Sequence, residues 1–219
     1  MLELMKQRHS VRQYLDTPIE GDKRAALDEA VARINRETGL HIQIFYDEPN
    51  CFDSFMAHYG KFTGVKNYIS LVGLKGPGLD EQLGYYGEEL VLKAQELGLN
   101  TCWVALSHGK SKAEVRGGEK EVCVISLGYG QTQGRPHTDR PLPEVCKAAD
   151  PMPDWFARGM EAAMLAPTAM NQQKFFFELM PDGNVKVTCG RGFYTRLDLG
   201  IVKYHFEKGA GKAVLANKG

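Results

Sequence analysis

Between residues 134 and 154 the chain reads GRPHTDRPLPEVCKAADPMPD, a stretch with five prolines. Proline has no backbone N–H and a fixed φ, so neither a helix nor an interior strand can run through such a segment. It predicts a connecting arm over 134–153, with one half of the chain before it (1–133) and a second after it (154–219). The element order of the two halves is similar. Before the arm, DKRAALDEAVARINRET (22–38) places Leu27, Ala30, Val31 and Ile34 on one helical face, Gly39 stops it, and LHIQIFYDE alternates as a strand. After the arm, DWFARGMEAAMLA is a helix with Asp154 as N-cap, and KFFFELM and VKVTCG are strands joined by the turn PDGN. GEELVLKAQELG, with Gly98 where a C-terminal glycine cap belongs, and GIVKYHFEKGAG are further helices, aligning Gly87 with Gly200 and Gly98 with Gly211. This predicts two pseudo-repeated halves, or a single α+β domain that reuses a common unit.

A chain of 219 residues with 43% apolar and 25% charged residues can bury a sizeable core and is not a disordered composition. Lys plus Arg and Asp plus Glu both total 27, which leaves no electrostatic footprint for nucleic acid or an anionic membrane. MLELMKQRHSVR lacks the apolar centre of a signal peptide, and no run reaches the length of a membrane span. Cys51, Cys102, Cys123, Cys146 and Cys189 are dispersed and odd in number, poor material for disulfides or zinc. These features predict a soluble cytoplasmic protein.

Several tempting motifs fail on context. GYGQTQG (128–134) follows a strand, but its glycine spacing is wrong for a dinucleotide fingerprint and a proline-rich arm replaces the helix that would face a pyrophosphate. HGKS (108–111) lacks the upstream glycine of a phosphate loop. The histidines form no H-E-x-x-H, and no serine stands in a G-x-S-x-G elbow. His205, on the inner face of the last helix, reads as a satisfied core or interface residue. No metal site and no catalytic side chain are predicted.

Two stretches carry chemistry. RHSVRQYLDTPI (8–19) concentrates Arg8, His9, Ser10 and Arg12; two guanidinium forks and a hydroxyl suit a phosphomonoester. If extended, the segment turns Arg8, Ser10 and Arg12 one way and His9 the other. A solvated basic turn is the competing reading. LAPTAMNQQKFFF (165–177) is a helix end broken by Pro167, a polar loop, and a buried strand, and its loop would suit a flat polar ligand.

These stretches resemble the nitroreductase family of FMN-dependent oxidoreductases. RHSVRQY is similar to its R-x-S-x-R/K opening. ELGLNTCW (96–103) is similar to G-L-G-T-C-W, with Asn100 in place of a glycine. LAPTAMNQQKFFF is similar to A-P-S-A-x-N-x-Q-P-W-x-F, with Lys174 and Phe175 in place of Pro-Trp, and LDLGIV (197–202) is similar to D-x-G-x-A. LGYGQTQG followed by DRPLPEV is similar to the G-Y-P turn and R-K-P-L tail, with Gly130 in place of the proline. The resemblance implies an α+β fold, a central mostly antiparallel sheet flanked by helices. The first half holds the basic motif and the second the polar loop, so it also implies an internally duplicated branch in which one chain imitates the family's dimer; a monomer is then feasible, and a dimer remains open.

Carried over residue by residue, the resemblance implies one FMN site. Arg8 and Ser10 would hold the phosphate, with His9 near the phosphate or ribityl chain. Arg12 would reach N1 and the C2 carbonyl, where a cation raises the flavin's reduction potential. Thr168, Asn171 and Gln173 would meet the ring edge or ribityl hydroxyls, Pro167 and Ala169 would shape that wall, Gly98, Asn100 and Thr101 would offer backbone contacts, and Arg140 would be a second phosphate cation. NAD(P)H would be the reductant and a nitroaromatic, quinone or similar small molecule the acceptor. The alternative is a flavin-binding or structural protein of the same fold without turnover, to which Asn100 and the missing Pro-Trp lend weight; retention of the whole basic motif favours the enzyme.

Overall fold

A computed structural model describes residues 1–214; residues 215–219, the end of the second half as delimited above, lie outside the described residues. The elements are α1 (Leu2–Gln7), α2 (Gly21–Thr38), β1 (Gln43–Phe45), α3 (Phe55–Tyr59), β2 (Asn67–Leu74), α4 (Leu79–Glu96), β3 (Asn100–Val104), β4 (Glu119–Gly128), β5 (Cys146–Lys147), α5 (Asp154–Met164), β6 (Phe175–Leu179), β7 (Val185–Cys189) and α6 (Thr195–Ala210). The fold is α+β, and every strand pair except β5–β6 is antiparallel. The strands form a four-stranded sheet in the order β1-β2-β4-β3 and a three-stranded sheet in the order β5-β6-β7. The chain divides into two compact units that are discontinuous in sequence: Gln7–Leu79 with Glu89–Arg135, and Met1–Lys6 with Asp80–Glu88 and Pro136 onward.

The first of these units contains the four-stranded sheet. Its β2 and β4 are almost wholly buried, as expected of continuous apolar runs rather than alternating ones. Tyr14, Phe52, Phe62 and Tyr68 belong to its core, with Phe52 and Phe62 rings 5.2 Å apart. The strand predicted over LHIQIFYDE is confined to β1. His41 N still donates to Val72 O of β2 at 3.0 Å, while on the open edge the Asn35 amide at the end of α2 donates to Ile42 O at 2.7 Å and accepts from Ile42 N at 2.8 Å. Asp47, with φ 51°, then turns the chain out of the sheet. At the C-terminal end of α4, Gly98 adopts φ 75° while Leu99 N donates to Ala94 O at 2.9 Å, the double-bonded glycine stop the sequence predicts.

In the other unit, α5 and the start of α4 both pack against α6. At the α4–α6 crossing a Cβ built on Gly200 would lie 1.9 Å from Glu81 O, and one on Gly84 would lie 2.0 Å from Leu197 O. Only glycine permits backbones to approach so closely. Around that crossing Lys203 Nζ pairs with Glu81 at 2.5 Å and Tyr85 donates to Glu207 at 2.6 Å. His205 is satisfied in the core, as predicted: Nδ1 lies 3.0 Å from Ala162 O and Nε2 2.8 Å from Glu88 Oε1, with both side chains fully buried. Phe177 of β6 stacks on Phe206 of α6 at 4.6 Å, with Phe156 edge-on to Phe206 at 5.4 Å.

The proline-rich arm contains one packed stretch. Cys146 pairs parallel with Phe177, and Phe177 N donates to Val145 O at 2.9 Å. This pairing uses the non-proline residues between Pro143 and Pro151, where amides are still available. At the start of α5 the cap position is held by Pro153, and Asp154 is the first helical residue. Its carboxylate there faces the positive end of the helix dipole rather than an N-cap amide.

Candidate active site

The basic segment belongs to the unit with the four-stranded sheet. Ser10 forms a parallel bridge with Thr101 of β3, and Val11 N donates to Thr101 O at 3.0 Å, which fixes the backbone of residues 10 and 11 against the sheet. Arg8 is 3% exposed and Thr101 2%, Ser10 is half-buried, and Arg12 reaches solvent. Burial pushes the Cys102 thiol up, while the charge of Arg12, a hydrogen bond from Ser10 and the charge of Arg8 pull it down. The bond from Ser10 to the Cys102 thiol places the serine side chain against β3. His9 meets Gly134 instead: a Cβ on Gly134 would lie 2.7 Å from His9 Cβ.

The turn at 128–134 supports this segment. Leu15 N donates to Tyr129 O at 2.7 Å, Gln131 N to Gln13 O at 2.9 Å, and Gln131 Nε2 to Tyr14 O at 3.2 Å. Asn100 locks the same turn, accepting from Gly130 N at 2.9 Å and donating to Gln133 Oε1 at 3.0 Å. A Cβ on Gly130 would lie 2.8 Å from the Asn100 oxygen and 2.9 Å from Val11 Cγ1, so this glycine provides close approach. The glycine-rich stretch rejected above as a dinucleotide motif thus has a role as a clamp on the basic segment. Gly98 lies in the left-handed cap immediately before β3.

Beyond Arg12 the same unit opens a cleft of about 430 Å³ whose lining includes Arg12, Tyr59, Lys61, Phe62, Trp103 and Ser107. The Arg12 guanidinium carbon lies 5.9 Å from the centre of the Phe62 ring, within reach of a cation–π attraction. This cleft was not foreseen. Trp103 ends the GLNTCW stretch, but nothing in the spacing of Tyr59, Lys61 and Phe62 announced that they join it.

The polar loop lies in the other unit and is strained. Met170, Asn171 and Gln173 have φ of 53°, 52° and 43°, a region that costs a non-glycine residue of order 1–3 kcal/mol. Hydrogen bonds hold it there. Thr168 Oγ1 accepts from Gln173 N at 3.1 Å. Asp198 of α6 accepts from Ala169 N at 2.9 Å and Gln172 Nε2 at 2.8 Å. Asn171 and Gln173 amides both donate to Thr138 O, at 2.9 and 2.8 Å, and Gln173 Nε2 also donates to Asn171 Oδ1 at 2.9 Å. Gln173 is 1% exposed and accepts from Arg140 N at 3.0 Å, whereas Met170 stands 95% exposed and Pro167, Thr168 and Ala169 are half-buried. Arg140 is paired with Glu144 at 2.7 Å, which neutralises much of the charge predicted for a phosphate. Asp198 was noted only as part of a motif, yet it is the loop's anchor: burial raises its pKa from 3.8 to about 6, against the lowering effect of the Ala169 and Gln172 bonds.

Residues 1–210 match the family model described as "Putative TM nitroreductase". The chain belongs to this nitroreductase family. A crystal structure of a "putative nitroreductase" from Thermotoga maritima MSB8 superposes with a TM-score of 0.70 at 21% identity, covering 100% of this chain and 89% of that one. Structures from Bacteroides thetaiotaomicron VPI-5482, described as a "putative NADH dehydrogenase/NAD(P)H nitroreductase", and from Desulfovibrio desulfuricans, described as a "putative nitroreductase in complex with FMN", both superpose with a TM-score of 0.51. They share 19% and 20% identity, covering 66% and 65% of this chain and 94% and 92% of theirs. No curated protein sequence matches the chain significantly. At these identities the structures establish the nitroreductase fold. Among the described residues no group of three or more His, Cys, Asp or Glu side chains could hold a metal, and no helix is long and apolar enough to cross a membrane.

The basic segment also admits a chemical test of cofactor fit. A phosphomonoester carries up to two negative charges and several acceptor oxygens. Arg8, Ser10 and Arg12 are all donors, two of them permanently charged, and a glycine-packed turn fixes their backbone. That donor set fits the phosphate and polar edge of FMN.

Proposed function

We propose that this nitroreductase family member is an FMN-dependent oxidoreductase that passes two electrons from NAD(P)H to a nitroaromatic, quinone or similar small acceptor. The observation that carries the reading is the burial of Arg8 on a braced segment that also carries Ser10 and Arg12. Arg8 and Ser10 hold the phosphate; a guanidinium already withdrawn from water gives up little solvation on binding it, so its charge-assisted bonds are strong. Arg12, which reaches solvent, would meet the polar edge of the ring. FMN, when bound, supplies hydride acceptance and two-electron delivery.

This chain's residues supply orientation and electrostatics, not acid–base groups. The β3 pairing fixes Ser10, and the turn at 128–134 fixes His9 and Val11. Rigid support of this kind keeps donors aimed at a bound anion without reorganisation. Asn100, the residue that suggested a non-catalytic relative, has both polar side-chain atoms committed to the turn. Its side chain therefore supports the clamp rather than narrowing a pocket, which favours turnover.

The visible spectrum of the purified protein, before and after heat denaturation, tests the cofactor; a flavin band released as free FMN is expected. Arg8→Ala with Arg12→Ala should abolish FMN retention, and wild-type binding in that double variant would refute the placement. NAD(P)H oxidation with a quinone acceptor then separates a turning-over enzyme from a flavin-binding protein.

A further inference from the structure

Resting on the FMN reading above, we propose that the cleft beside Arg12 is the acceptor site and that Lys61 selects flat aromatic acceptors bearing an anionic substituent. Its volume of about 430 Å³ falls in the range of small-molecule pockets. Tyr59 and the half-buried Trp103 give it aromatic surface, with Phe62 buried behind Arg12, and Arg12 and Lys61 are its charged lining residues; no carboxylate lines it. With Arg12 engaged by the polar edge of the flavin, Lys61 is the cation left to attract an anionic substituent, and aromatic surface favours a planar body.

The backbone at Lys61 is the independent observation. Helix α3 ends with Phe62 N donating to Ala57 O at 3.0 Å, which places residue 61 in the left-handed region at φ 63°. Glycine is the usual occupant of that position, since a Cβ is penalised there. Lysine occupies it instead, and among the described residues no carboxylate forms an ion pair with its ammonium. Two acids of the same unit are engaged elsewhere, Asp16 with Lys66 at 2.5 Å and Asp53 with His58 at 3.7 Å. Gly60, just before it, packs so tightly that a Cβ would lie 2.6 Å from Ser107 Cβ, which ties the lysine's backbone to the opposite wall. A strained, braced cation at the mouth of an aromatic cleft fits recognition of a ligand charge better than it fits helix termination.

The test compares 4-nitrobenzoate with 4-nitrobenzamide, rings of one shape that differ in charge, by isothermal titration and by steady-state reduction on protein whose FMN content is recorded. Wild type should prefer the carboxylate by about fivefold at low salt, the order expected of a partly shielded ion pair. Lys61→Gln and Lys61→Gly should reduce the ratio to near one, and Lys61→Arg should keep it. Lys61→Gly also relieves the backbone, so loss of preference in a variant at least as heat-stable as wild type excludes misfolding. An unchanged ratio in Lys61→Gln with FMN intact overturns the proposal, as does loss of FMN in that variant, which would make Lys61 a flavin ligand. Protein that takes up no FMN refutes the cofactor reading and the acceptor role together; a Lys61-dependent anion preference in such protein would mark the cleft as a binding site only.

Discussion

Asp198 couples the strained loop to pH. Its carboxylate is 5% exposed and holds Ala169 N and Gln172 Nε2, yet burial dominates and raises its pKa from 3.8 to about 6. Between those values the folded chain retains a proton the unfolded chain has lost, so this group's contribution to stability is greatest below pH 3.8 and declines as pH rises, levelling off above about pH 6. At about 1.4 kcal/mol per pH unit the full effect is about 3 kcal/mol, of which about 2 kcal/mol falls between pH 4 and pH 7. Asp198→Asn keeps the shape of the protonated acid and cannot ionise. Urea unfolding in a Trp103→Phe background, where Trp155 of α5 is the remaining tryptophan and lies in the same unit as Asp198, isolates the effect. The wild-type minus variant stability should become less favourable by about 2 kcal/mol from pH 4 to pH 7. Glu48, Glu119, Glu178 and Asp182, all lowered, slope the other way in both proteins and cancel in the difference. Parallel stability curves for the two proteins would refute the argument that burial outweighs the loop's hydrogen bonds.

Three other outcomes follow from the packing. Gly200→Ala should destabilise by about 3 kcal/mol or more, because its Cβ would overlap Glu81 O, whereas Gly211→Ala, at φ 66° with open space around it, should cost only about 1 kcal/mol; calorimetric melts compare them. Glu88→Leu should cost about 3–5 kcal/mol by stranding His205, and adding His205→Leu should recover most of that in a double-mutant cycle by urea unfolding. Asn100→Gly should lose about 2 kcal/mol through its two hydrogen bonds to the turn, read by Trp103 fluorescence in a Trp155→Phe background.

The sequence made legible what local chemistry decides. The glycine stop at Gly98, the long helix over 22–38 and the hairpin at PDGN each depend on residues adjacent in the chain. The core role of His205 was legible too, since an inward-facing polar residue must find partners. What escaped was set by distant residues. The closing of the open edge of β1 depends on Asn35 answering Ile42, and the paired stretch of the arm depends on a strand edge supplied by Phe177. Discontinuity of the units escaped as well, because α4 is one uninterrupted helix whose apolar pattern does not mark where its neighbours change.

The same distinction explains the site. Arg8, Ser10 and Arg12 were readable because a phosphate-binding set can be compressed into five residues. The polar loop was readable as a loop, but the number of its side chains free for a ligand was not. Asn171, Gln172 and Gln173 carry three amides, and each hydrogen-bonds within its own unit. A loop held at three left-handed residues needs those bonds, since each such residue costs of order 1–3 kcal/mol and each neutral bond returns only about 1 kcal/mol. The amides are therefore first a scaffold for the backbone, and Asp198, buried beneath them, gives that scaffold a charged acceptor stronger than a neutral one.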